Sequence, residues 1–193
     1  HGFWRFCDPA HRLYQPGNPY QHVLHDYYLS LDQEIGRTIE AAGQGASIMV
    51  VSDHGAKAME GAICINEWLQ DQGYLRLKHQ PAARLRLTPD MIDWPNTKAW
   101  GEGGYYARLF LNVAGREPQG CVPPGAYESL REEIKAGLEA LGDEHGNPIG
   151  TRVFRPEALY REIKNIPPDL IIYFGDLNWR SAGSVGTGAW HLR

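Results

Sequence analysis

Apolar residues recur along this chain with two spacings, and each change of spacing marks a new element. From Tyr20 to Ala42, residues Val23, Leu24, Tyr27, Tyr28, Leu31, Ile35 and Ile39 fall at three- and four-residue steps, which predicts a helix stopped by Gly43. Residues 46–51, ASIMVV, are apolar on both faces and bounded by turn residues, the pattern of a buried parallel strand. Asn66 is placed to cap a helix over EWLQDQ that Gly73 closes, and YLRLK then alternates like a short strand. Residues 80–96 carry three prolines and little periodicity, so a surface excursion is expected there. KAWGEGGYYARLFLNV predicts two extended pieces joined by the glycine-rich GEGG. AYESLREEIKAGLEAL has helical spacing at Leu130, Ile134, Leu138 and Leu141, with acids in its first turns where the helix dipole favours them. DLIIYFG, Asp169 to Gly175, is a further strand apolar on both faces. The first 20 residues predict an irregular segment whose Phe3, Trp4, Phe6, Tyr14 and Tyr20 pack on some other surface, and DLNWRSAGSVGTGAWHLR at the far end reads as loop. With no internal repeat, this order predicts a single α/β domain over residues 1–193.

Composition narrows the classes. With 42% hydrophobic residues, 193 residues are enough to bury a sizeable core. A net charge of -4, from 19 basic and 23 acidic residues without long single-sign runs, carries no nucleic-acid footprint and no anionic-membrane patch. No apolar run approaches the roughly 20 residues that span a bilayer. Cys7, Cys64 and Cys121 are odd in number and widely separated, which predicts reduced thiols and, with them, a cytoplasmic location, although no leader can be judged on a chain without an initiator methionine.

The candidate chemistry lies at Ser52-Asp53-His54-Gly55, directly after the expected strand. Ligand sites of open α/β sheets lie beyond the carboxyl ends of their strands, and an adjacent carboxylate and imidazole suit a zinc-like ion. Gly55 would let the backbone turn away so that both side chains converge. The same pair also reads as a plain turn, with Asp53 accepting backbone N–H groups and His54 exposed. GEGG suggests a hairpin turn before a phosphate cradle, since it lacks the strand, helix and lysine of a P-loop. His22 and His25 have no acidic or thiol partner placed to complete a site, and Arg108 and Arg180 are arginines able in principle to meet a phosphate bidentately.

Taken together, VVSDHGAKAMEGAICINEWLQDQGYL, HGFWRFCDP, AWGEGGYYARLFLNVAGREPQG and PPDLIIYFGDLNWRSAGSVG resemble the type I phosphodiesterase and nucleotide pyrophosphatase family of the alkaline phosphatase superfamily. That resemblance implies an alkaline-phosphatase-like three-layer α/β sandwich with a largely parallel central sheet. It implies two divalent metal ions, typically zinc, acting on a small phosphoester substrate with phosphodiester or pyrophosphate bonds. Asp53 and His54 would be ligands of one metal and His1 a ligand of the other, with Asp8 and His11 the alternative pair, while Ser52 is a turn residue. The nucleophile would lie before His1 and the last histidine ligand after WRSAGSVG, where His191 is the only nearby candidate. The chain would then be the middle and later part of a catalytic domain, inactive alone, and association of copies is expected to cover its sheet edge. Phosphomonoester, phosphonate or sulfate ester hydrolysis, mutase activity, or a non-catalytic binding module that kept the fold are the other readings of the same residues.

Overall fold

The computed structural model describes residues 2–193, which divide into two compact units, one up to residue 58 and one over 59–193. In the first, a single helical turn α1 (Trp4–Cys7) precedes a long helix α2 (Val23–Ala42). Of the aromatic residues at its start, Phe3, Phe6 and Tyr20 pack on one another, with ring centroids 5.2–6.1 Å apart. Helix α2 begins three residues later than its apolar pattern, because Asn18 Oδ1 accepts the Tyr20 N–H and holds residues 18–20 in a turn. Gly43 ends it with φ +78°, a value open to glycine at no steric cost.

Residues 46–51 correct the first strand expectation. They form no ladder among the described residues, and Val50 is 93% exposed. The reason is that strand structure belongs to pairs: an apolar run becomes β only where another backbone accepts its N–H and C=O groups.

The second unit opens with β1 (Gly61–Cys64), which runs straight into α3 (Ile65–Asp71). A short β2 (Leu85–Arg86) lies in the proline-rich excursion, followed by the hairpin β3 (Ala99–Glu102) and β4 (Ala107–Leu111). Then come α4 (Tyr127–Glu139), β5 (Arg152–Phe154), the single turn α5 (Pro156–Leu159) and β6 (Leu170–Tyr173). Three short strands close the chain: β7 (Trp179–Ala182), β8 (Ser184–Val185) and β9 (His191–Leu192). The segment expected to be loop therefore contains three paired strands, with β7 parallel to β1, β8 antiparallel to β2 and β9 antiparallel to β1. Strands of two to four residues interrupted by Gly183, Gly186 and Gly188 are too short to show alternation.

YLRLK is likewise no strand; its backbone meets neighbours at single points, such as the Lys98 and Ala99 N–H groups donating to Tyr74 C=O. The main sheet has the order β3-β4-β6-β5 and is antiparallel throughout. Parallel pairing, expected for most of the sheet, joins among the described strands only β1 with β7, beside isolated parallel bridges at Val113–Val122 and Ala114–Glu117. The β3–β4 connection spans only residues 103–106, and a turn that short can join only antiparallel neighbours. Helix α4 lays Leu130, Ile134 and Leu138 onto this sheet, where Leu109, Leu111, Leu170, Ile172, Val153 and Trp179 form one core with Trp68 and Leu69 of α3. No helix is long and apolar enough to cross a membrane among the described residues.

Two polar side chains inside this core tie its elements together. Asn66, expected to cap α3, instead sits inside the helix with its carboxamide fully buried. Its Nδ2 donates to Gly101 C=O at 2.9 Å and Gly183 C=O at 3.1 Å, and its Oδ1 accepts the Gly101 N–H at 2.8 Å. Asp169, 4% exposed, accepts from Arg116 Nη1 at 2.7 Å and Nη2 at 2.8 Å, from Tyr127 Oη at 2.7 Å and from Leu111 N–H at 2.6 Å. Burial first, then the hydrogen bond to Asp169, pushes the Tyr127 hydroxyl up to about 12. Burial and Glu133, which accepts from Tyr74 Oη at 2.6 Å, do the same for Tyr74, again to about 12. The Arg116 guanidinium is held further towards its charged form by the hydrogen bond to Asp169.

Asn66→Ala removes three interior hydrogen bonds, taking the Asn66 partner from the Gly101 N–H and C=O and leaving Gly183 C=O with only the Leu87 N–H at 3.4 Å, so it is expected to lower unfolding free energy by about 2–4 kcal/mol, read from urea midpoints. Tyr74 and Tyr127 have raised values when folded, so their contribution is complete below about pH 10 and declines as pH rises towards about 12. Phenolate absorbance should accordingly show two tyrosines ionising after the rest, and Tyr74→Phe with Tyr127→Phe should flatten the alkaline loss of stability.

Candidate metal-ligand pair and the family of the chain

Asp53 and His54 follow the unpaired apolar run, and both are largely exposed. Ser52 Oγ donates to His54 C=O at 2.6 Å, which makes Ser52 a turn residue. Gly55 has neither a positive φ nor a crowded Cβ position, so convergence of the pair does not require glycine there. His54 Nδ1 lies 3.0 Å from Gly55 C=O. A carbonyl can only accept, so this bond places the proton of a neutral ring on Nδ1 and leaves the Nε2 lone pair outward. Nε2 in turn lies 3.5 Å from Asp53 Oδ2. A carboxylate oxygen and an imidazole lone pair at that distance repel unless a proton or a cation lies with them. Oxygen and nitrogen donors are also the chemistry zinc takes, and a backbone carbonyl on the far ring nitrogen is the usual way a ligating histidine is oriented. The donor types therefore fit a divalent ion; the number does not complete one, since among the described residues no three His, Cys, Asp or Glu side chains gather.

The remaining histidine candidates separate. His1 lies outside the described residues. Asp8 spends both carboxylate oxygens locally, on Ala10 N–H at 2.9 Å and Trp4 Nε1 at 3.2 Å, and His11 Nδ1 accepts Leu13 N–H at 3.1 Å. These bonds make Asp8 and His11 turn residues. His22 pairs with Gln21 at 2.9 Å and His25 with Asp26 at 3.2 Å, each with its own sequence neighbour. His191 lies in β9 of the second unit, donates from Nε2 to Gly142 C=O at 2.8 Å and packs edge-on to Trp179. Its ring is already engaged in holding the closing strand.

The type I phosphodiesterase / nucleotide pyrophosphatase family model matches residues 4–191. The chain belongs to that family. No curated protein and no solved structure matches it. Within this hydrolase family the match extends across both units, from the aromatic cluster at Phe3–Phe6 to the closing strand at His191. Sequence reasoning missed Asn66 as an interior clamp, because an asparagine at a strand-helix junction is locally indistinguishable from a cap. It also passed over Asp169, whose position at the head of an apolar strand is the only signal it leaves. Arg108 and Arg180 do not share a unit with Asp53 and His54; both line one pocket of the second unit.

The Nδ1–H tautomer is directly observable. In nitrogen-15 spectra of the metal-free chain at high pH, the neutral His54 ring should show a protonated Nδ1 and an unprotonated Nε2, with Asn replacing Asp53 leaving that tautomer unchanged. The opposite tautomer would break the inferred bond to Gly55.

Proposed function

We propose that this chain is part of a metal-dependent hydrolase of phosphodiester or pyrophosphate bonds in small phosphoester substrates, with Asp53 and His54 contributing to a zinc-type centre. The family match over residues 4–191 carries this reading, and the facing Asp53 carboxylate and His54 imidazole support it. An alkaline-phosphatase-like three-layer arrangement of the complete catalytic domain, and two metals in it, belong to the same proposal. A divalent ion bound there supplies Lewis-acid polarisation of a phosphoryl oxygen. Asp53 supplies negative charge for such a cation and an oxygen donor. His54 supplies nitrogen through Nε2, its ring held by the Gly55 carbonyl so that little reorientation is needed. Ser52, with its hydroxyl engaged by the His54 carbonyl, shapes the turn and takes no part in attack on phosphorus.

The centre is tested by zinc stoichiometry of the zinc-loaded, desalted chain beside Asp53→Ala, His54→Ala. About one equivalent in the parent and none in the double variant is expected, since removing both donors leaves no oxygen-nitrogen pair. Equal zinc in the two proteins, or none in either, rejects Asp53 and His54 as a centre that this chain holds. The phosphodiester bis(para-nitrophenyl) phosphate should not be cleaved by the chain alone, and turnover abolished by the double variant would show that the described residues need no further catalytic group.

A further inference from the structure

Outside the Asp53–His54 pair, the second unit contains a pocket of about 440 Å³ where the chain's charge is locally reversed. Its walls come from β2 and the residues around it, from the β3–β4 hairpin, and from the β7–β8 corner. Arg84, Arg86, Arg108 and Arg180 all line it, and Glu102 is the single acidic residue among the lining groups. This happens in a chain whose net charge is -4. Four guanidiniums sharing one pocket repel one another, and one carboxylate does not neutralise them.

The partners of these groups show which are committed. Arg108 Nη2 pairs with Glu102 at 2.6 Å, and Arg84 Nε donates to Ser184 Oγ at 3.2 Å. Arg86 and Arg180 make no side-chain hydrogen bond or ion pair among the described residues. A second observation is independent of charge: Ser181, which also lines the pocket, is 2% exposed and its hydroxyl has no hydrogen-bond partner. A buried hydroxyl left without a partner is costly, so an acceptor or donor entering the pocket is favoured there. The floor is rigid and drawn in close. A Cβ on Gly103 would lie 2.3 Å from Gly183 N, Gly104 and Ser181 exchange N–H···O=C bonds at 3.0 Å in both directions, and the Asn66 carboxamide bridges Gly101 and Gly183. Trp94 and Trp100, in edge-to-face contact at 5.0 Å, add an apolar wall.

We propose that this pocket is an oxyanion site that takes a small ligand bearing linked phosphate groups, held by Arg86 and Arg180 with Arg84 and Arg108 beside them. Planar guanidiniums pair bidentately with phosphate oxygens, and cations arriving from separate segments suit more than one phosphoryl group. All of its lining residues belong to the second unit, and neither Asp53 nor His54 is among them.

The test is calorimetric titration of inorganic pyrophosphate into the metal-free chain at low salt, repeated with inorganic phosphate. Saturable pyrophosphate binding, tighter than that of phosphate and weakened by salt, is expected. Asp53→Ala, His54→Ala should bind it as the parent does. Arg86→Ala, Arg180→Ala should bind it at least roughly tenfold more weakly, because two exposed, unpaired cations are removed without touching the core. Glu102→Gln should tighten it several-fold by releasing Arg108. No binding by the parent, an affinity unchanged by both the arginine and the Glu102 changes, or binding lost with Asp53 and His54 would each overturn the assignment.

Discussion

One buried carboxamide constrains the second unit more than any apolar contact does. Asn66 leaves β1 at the first turn of α3, where side-chain and backbone polar groups must find partners or lose stability. It meets this requirement across the chain, on Gly101 and Gly183, rather than on its own helix. Because an amide has one acceptor and two donor hydrogens, the three bonds fix α3, β3 and the β7–β8 corner in one relative orientation. The close approach of Gly103 to Gly183 follows from it: both glycines lie next to the backbone groups that Asn66 holds, and neither tolerates a side chain there. The arginine-lined pocket opens on the same corner, so a polar requirement of helix initiation also sets the shape of a charged cavity.

Asp169 plays the corresponding part on the other side of the core. A carboxylate at the head of β6 would be costly inside an apolar cluster, and Arg116, Tyr127 and the Leu111 N–H together satisfy both oxygens. Arg116 is only half-shielded, so most of its worth lies in orientation: it fixes the turn after β4 against the start of β6 and the first turn of α4. Specific polar nodes at both ends of the antiparallel sheet leave its apolar interior free to be filled by plain aliphatic packing.

Much of this was legible in the sequence, and what was not has a common cause. Helix α4 and strand β4 were readable because their periods run over enough residues to outlast a chance pattern, β3 because it leads into a glycine-rich turn, and β6 because it is an unbroken apolar run. The GEGG hairpin was readable from glycine's turn preference. Strands β7, β8 and β9 were invisible because each exists only through a partner more than a hundred residues away or, for β2 and β8, about a hundred, while showing two to four residues of its own. Residues 46–51 failed the other way, with ideal local character and no described partner. Asn66 was assigned the locally commonest task of an asparagine near a helix start, when the interior offered a better one. Local preference is overridden wherever the deciding partner is distant in sequence.

The candidate chemistry divides along the same line. Asp53 and His54 were legible as a pair because they are neighbours, and the structure adds only the ring orientation that turns an adjacent histidine into a nitrogen donor facing a carboxylate. The pocket was not legible as a site, since Arg84, Arg86, Arg108 and Arg180 come from three separate segments and nothing in their spacing brings them together. Both places hold like-natured groups close together: two acceptors in the first, and in the second four guanidiniums with a single carboxylate, Glu102, which pairs with Arg108. Like groups held close repel one another, and a group of opposite charge brought to either place relieves that repulsion. Their energetic incompleteness is itself the argument for ligands, a cation for the acceptor pair and an anion for the arginines.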